Sequence, residues 1–187
     1  MSRRASEEVK HREARFKRVV ATEADASRLL ERPGDIAIVE RGVPRLLVMK
    51  CPDDCGDTLR INLDPRTSKA WKIYRDVDGL SLFPSVWRDT GCESHFIIWG
   101  DNIYWSDSRD RTYKRIHDPA LRAAVHEELD GSVFQSAVEV ADKLGLVPWS
   151  VSAILDALVH EGEVERRLFD RERRYRLSQG GEPAADR

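Results

Sequence analysis

Cysteine is scarce, with three in 187 residues. An odd count argues against a disulfide framework, and no signal peptide opens the chain, so the sequence predicts a reducing cytoplasm. Long apolar runs are missing too: none approaches the roughly 18 residues that a membrane-crossing helix needs. Charge of one sign is also lacking, since 31 Lys and Arg stand against 33 Asp and Glu for a net charge of −2. No global field therefore draws the protein to nucleic acid or anionic lipid, and any such binding has to come from a local patch. Charged residues make up 34% and apolar ones 41%, which suits a soluble globular chain of one large or two small domains.

The three cysteines are not scattered. They fall as Cys51-Pro-Asp-Asp-Cys55 and Cys92-Glu-Ser-His95, a C-x3-C pair, 36 residues, and a C-x2-H pair. Zn²⁺ takes thiolate sulfur and imidazole nitrogen, and ligands two to four residues apart reach one ion from a single tight turn. Cys51, Cys55, Cys92 and His95 are thus the expected ligands of one structural zinc per chain. The plainer alternative is that the cysteines are small buried hydrophobes.

Along the chain, residues 1–18 carry seven basic groups against three acidic ones and read as a basic, flexible arm. Thr22 is an expected N-cap for a short helix reaching Glu31, stopped by Pro33-Gly34. Residues 19–106 then read as a zinc-stapled β domain. Strands are expected at Ile36–Glu40 and Pro44–Met49 around an Arg41-Gly42 turn, at Thr58–Leu63 and Ala70–Tyr74, and at Phe96–Trp99 and Ile103–Trp105 around Gly100-Asp101-Asn102. Each ligand pair lies beside a hairpin, as in zinc ribbons.

Residues 107–118 are almost wholly polar and read as a linker. Asp118-Pro119 then provides an N-cap and a proline at the first helical position. Helices through Leu129, over Ser136–Leu144 and from Pro148 to Gly162 are followed by strands Val164–Phe169 and Arg173–Leu177. That order predicts a winged helix-turn-helix over 119–178, with 179–187 as a disordered tail. The fold class is therefore α+β, a zinc-ribbon-like antiparallel β domain followed by a winged helix-turn-helix domain.

Base edges are read chiefly by Arg, Lys, Asn and Gln, and the third helix has none of these from Pro148 to His160. Candidate nucleic-acid contacts are confined to the wing: Arg166, Arg167, Arg171, Arg173 and Arg174. Winged helices also dock proteins, and fold alone does not choose.

The motifs Met49-Lys-Cys-Pro-Asp-Asp-Cys-Gly56, Arg60-Ile-Asn-Leu-Asp-Pro-Arg66 and Leu82-Phe-Pro-Ser-Val-Trp-Arg-Asp-Thr-Gly-Cys-Glu-Ser-His-Phe96 give residues 18–105 a resemblance to a small bacterial zinc-binding domain family. Its genes lie beside those of ubiquitin-like proteins and E1- and E2-like enzymes. Many relatives carry a further cysteine where this chain has Asp53, which implies that Cys51 and Cys55 are the ligands and the middle position is dispensable, and the short relatives lack the C-terminal module. The resemblance implies a protein partner, either a ubiquitin-like protein or an E1/E2-like enzyme.

Three functions remain open at this level. The first is a zinc-binding adaptor acting with a ubiquitin-like conjugation system. The second is a DNA-binding regulator with structural zinc. The third is a serine-type peptidase processing or deconjugating a ubiquitin-like protein. Its nucleophile candidates are Ser94, beside His95, and Ser85, expected on a Pro84-Ser85-Val86 turn near Arg88 and Asp89. Adjacent strand residues point to opposite faces, and a histidine whose lone pair is on zinc is no base, so the Ser94–His95 pairing is the weaker one.

Overall fold

The computed structural model describes residues 11–105, 118–170 and 172–178. Residues 1–10 of the expected basic arm, the 107–117 part of the expected linker, the 179–187 tail, and Arg171 lie outside the described residues. The chain splits into two compact units on either side of residues 106–117.

In the first unit, β1 (Arg15–Val20), α1 (Glu23–Arg28), β2 (Asp35–Glu40), β3 (Pro44–Lys50) and β4 (Thr58–Asn62) are followed by β5 (Lys72–Asp76), β6 (Gly79–Trp87), β7 (His95–Trp99) and β8 (Asn102–Trp105). They form two four-stranded sheets, β1-β2-β3-β4 and β5-β6-β7-β8. Pairing is antiparallel except for β1, which runs parallel to β2. Alternate residues supply the common core: Ile36, Ile38, Leu47, Met49, Leu59 and Ile61 from the first sheet, and Leu80, Leu82, Val86, Phe96, Ile98 and Ile103 from the second. The run Ile36-Ala-Ile-Val39 is buried throughout because Ala37 and Val39 pack with Val48 and Ala26 of α1 on the outer face. Thr22 caps α1, accepting from the Asp25 amide at 3.2 Å. Gly42 takes φ +78° in the β2–β3 turn, and Gly100 and Asp101 both take positive φ between β7 and β8.

Two expectations change. The end of the basic arm, residues 15–18, lies in strand β1 (Arg15–Val20) instead, anchored by the wholly buried Asp35. That carboxylate accepts from Arg15 Nε at 2.9 Å and from the backbone N–H of Glu31 and Arg32 at 3.1 and 2.9 Å, with Lys17 Nζ at 3.2 Å. The β domain also has a two-sheet core of its own, which a small ribbon held by an ion lacks.

The second unit runs α2 (Pro119–Glu128), β9 (Gln135–Ser136), α3 (Ala137–Leu144), α4 (Pro148–His160), β10 (Val164–Phe169) and β11 (Glu172–Leu177). Asp118 caps α2, and a reciprocal Ser136–Glu139 capping box opens α3. The three strands pair in the order β10-β11-β9. Val125, Val140, Val151, Leu155, Leu158 and Tyr175 make a separate core. No helix of the described residues is long and apolar enough to cross a membrane.

Candidate functional site

The chemistry-bearing side chains of the first unit gather on the β6–β7 hairpin and the turn after β3. Leu82 pairs with Ile98, but the next pairs are Val86 with Phe96 and Trp87 with His95. Phe83, Pro84 and Ser85 thus stand opposite Ile97 alone. Such a bulge bends its strand and re-aims a side chain. Beyond it, Val86 and Phe96 point into the core, while Trp87 and His95 share the opposite face. Their rings lie 6.0 Å apart, and Trp87 is 73% exposed.

Ser85 is therefore a strand residue inside the bulge rather than part of a free turn. Its Oγ lies 3.1 Å from His95 Nε2. Its carbonyl accepts from Trp71 Nε1 at 3.2 Å, which fixes the backbone that carries the hydroxyl. Both side chains are half-buried, so each has a protein wall on one side and access on the other.

Ser94 points the other way. It is buried, with Oγ 3.3 Å from Cys92 Sγ and 4.0 Å from Cys51 Sγ, and its carbonyl accepts from the Arg88 amide at 3.0 Å. Strand alternation separates the neighbours: Ser94 faces the thiols and His95 faces Ser85.

Cys51, at the end of β3, Cys55 and Cys92 form the one set of three or more metal-ligating side chains among the described residues whose ligand atoms all lie within 4.8 Å of one another. The sequence-predicted Cys3His set is thus assembled only in its cysteines, because His95 lies across the strand on Ser85. Arg88 leans over the cluster, its Nη1 lying 2.9 Å from Cys92 Sγ, 3.3 Å from Cys55 Sγ and 3.7 Å from Cys51 Sγ. Its Nη2 donates to Asp57 at 2.7 Å, and that contact is the main reason the guanidinium's pKa is raised. Burial, with the neighbouring thiols adding to it, pushes the Cys51 thiol up to about 12. Burial also opposes ionisation of Cys92, but the Ser94 hydroxyl and backbone N–H outweigh it and lower that pKa. Thiolate is the metal-binding form, so a divalent cation here would displace the thiol protons. The residues fit one: three sulfurs of a soft donor set on two chain segments, one of them a short turn.

In the second unit the described wing arginines are engaged. Arg166 and Arg173 pair with Asp156 at 3.0 and 3.3 Å. Arg174 pairs with Glu172 at 2.9 Å and lies 3.7 Å from Glu139. Arg167 lies 3.7 Å from Glu165, and its guanidinium also sits 5.0 Å from the Phe134 ring centroid. These partners offset the positive charge that a phosphate backbone would have to find there.

Sequence reasoning left three features of the site unread. One is strand β6, which the Asp78-Gly79 turn followed by Leu80-Ser-Leu82 does signal. Another is the role of Arg88 at the cysteines. The last is the Ser85–His95 contact, which depends on the bulge.

No curated protein and no solved structure matches the chain. Residues 21–106, the unit that holds both the thiol cluster and the Ser85–His95 pair, match the family described as bacterial ubiquitination-like system serine protease (BubE), which supports an association of this chain with bacterial ubiquitin-like systems.

Proposed function

We propose that the first unit is a serine peptidase that cleaves at the tail of a ubiquitin-like protein, with Ser85 as nucleophile and His95 as general base. The observation that carries this reading is the 3.1 Å Ser85 Oγ–His95 Nε2 contact, within the reach that nucleophile and base require. Its place inside a segment similar to a serine protease family supports it. In the working tautomer His95 carries its proton on Nδ1 and accepts from Ser85 on Nε2. Ser85 Oγ attacks the scissile carbonyl, and its proton passes to Nε2 and then to the leaving group. Water, deprotonated by the same nitrogen, releases the acyl group and restores the hydroxyl. The exposed Trp87, whose ring lies beside that of His95, offers a flat apolar surface on which an extended tail can lie.

On this reading the thiol cluster holds a structural zinc ion. Cys92 lies three residues before His95, and Arg88 follows Trp87, so the cluster buttresses the hairpin that presents the pair. Residues 119–178 act as a winged-helix module that docks protein. The engaged wing arginines weigh against the DNA-binding regulator, and a serine within reach of a base weighs against a purely accessory adaptor.

The test uses the full chain and a ubiquitin-like protein extended at its C-terminus by a reporter. Ser85→Ala and His95→Ala should each lower kcat by roughly 10²–10⁴-fold, while Ser94→Ala retains the rate within about tenfold. Equal activity of wild type and Ser85→Ala would overturn the assignment.

A further inference from the structure

Strand β6 has a neighbour along only part of one edge. β5 pairs with it as far as Lys72 against Phe83, and there the chain turns off, because the Trp71 amide donates to the Asn62 carbonyl at 2.8 Å. Among the described residues no strand covers β6 on that side past Phe83. Backbone groups of successive strand residues point to alternate edges, and three contacts fix which way these point. The Leu80 carbonyl accepts from the Asp101 amide at 3.0 Å and the Arg88 amide donates to the Ser94 carbonyl at 3.0 Å, both on the β7 side. The Ser85 carbonyl accepts from the Trp71 indole at 3.2 Å, on the β5 side. Trp87, two residues on, therefore turns its N–H and C=O to the uncovered edge. Its side chain stands on the face that carries Ser85 and His95, and the residue is 73% exposed.

We propose that the tail to be cleaved binds as an added strand on this edge, antiparallel to β6, with one tail residue exchanging both backbone hydrogen bonds with Trp87. The inference rests on the peptidase reading given above. An uncovered edge pairs with an extended chain through its backbone, and this one ends at the nucleophile. Toward Phe83 the line is already filled by Trp71 and Lys72. The folded body of a ubiquitin-like protein thus lies past Trp87, and its tail runs from Trp87 toward Ser85, opposite to β6. Two strand residues span about 6.5 Å, so the residue opposite Ser85 is the second after the one bonded to Trp87. Because the indole already serves the Ser85 carbonyl, strand pairing stops at that point, and the tail's own carbonyl there is free to turn to Oγ. Recognition through the backbone asks little of the tail's side chains. The substrate class is thus an extended C-terminal segment, and Trp71 is the residue that ends its pairing.

The experiment uses the full chain and the reporter-extended ubiquitin-like protein, made with a methyl group on single tail amides. Methylation of the residue bonded to Trp87, the second before the one whose carbonyl is attacked, removes its donor and wedges the strands apart. It should lower kcat/KM at least about tenfold. The next residue toward the cut turns its N–H away from β6, and methylation there should be tolerated within about threefold. A second readout needs no turnover. With Ser85→Ala and the unmodified fusion, exchange of the Trp87 amide proton, followed by NMR, should slow at least about tenfold on binding, and by more than that of Arg88, which already bonds to Ser94. Equal tolerance of the methyl group at the two positions, or a bound fusion that leaves Trp87 exchange unchanged, would overturn the added strand while leaving the peptidase. A wild-type chain that leaves the reporter attached would overturn the peptidase reading itself, and the proposal with it.

Discussion

Replacing Asp35 with asparagine is the sharpest test of how the first sheet is held. The side chain is wholly buried, and four donors converge on its oxygens: two backbone amides, Arg15 Nε and Lys17 Nζ. Removing one member of a buried ion pair costs about 3–5 kcal/mol, because the remaining charge loses its partner. The Arg15 and Lys17 side chains keep 27% and 33% of their exposure, so water solvates part of what is left behind. The low end, about 3 kcal/mol, is therefore expected. For a domain of this size that is roughly 12–24 °C in Tm. Urea titration followed by tryptophan fluorescence reports on this unit, since Trp71, Trp87, Trp99 and Trp105 lie in it and only Trp149 lies elsewhere. The pH dependence has a definite sign. Burial opposes ionisation, but hydrogen bonds from Arg32, Lys17, Arg15 and Glu31 outweigh it and depress the Asp35 pKa in the folded state. The stabilisation is thus fully present above the unfolded carboxylate value of about 3.9 and is lost as pH falls below it, through the folded pKa. The gap between wild type and Asp35→Asn should be constant from neutral pH down to about 5 and shrink below about 4. A loss under about 1 kcal/mol, or a gap that widens in acid, would refute the reasoning.

Chelation should weaken the first unit without unfolding it, because Cys51 is the one buried core residue that belongs to the thiol cluster. If the ion is held at a thousandfold its Kd, stripping it removes about 4 kcal/mol, and circular dichroism should keep its β signal while peptidase activity falls. In gel shifts across a salt series, the intact protein should show no sequence preference near the roughly thousandfold of a regulator. Sequence-specific retention at physiological salt that Arg166→Ala or Arg173→Ala abolishes would restore the DNA reading.

Local chemistry was readable from the sequence. The Thr22 and Asp118 caps, the Arg41-Gly42 and Gly100-Asp101 turns, and the two short cysteine clusters all depend on residues within a few positions of one another, and there the backbone has few choices. Strand alternation likewise implied that Ser94 and His95 face opposite ways. Which of them meets the thiols depends on the register of β7 against β6, set by Val86 and Phe96 in the core and by the bulge at Phe83–Ser85. The parallel pairing of β1, the burial of Asp35 under Arg15 and Lys17, and the Ser85–His95 contact are of this second kind. Each joins segments whose separation in sequence carries no local signal, so only the packed sheets decided them.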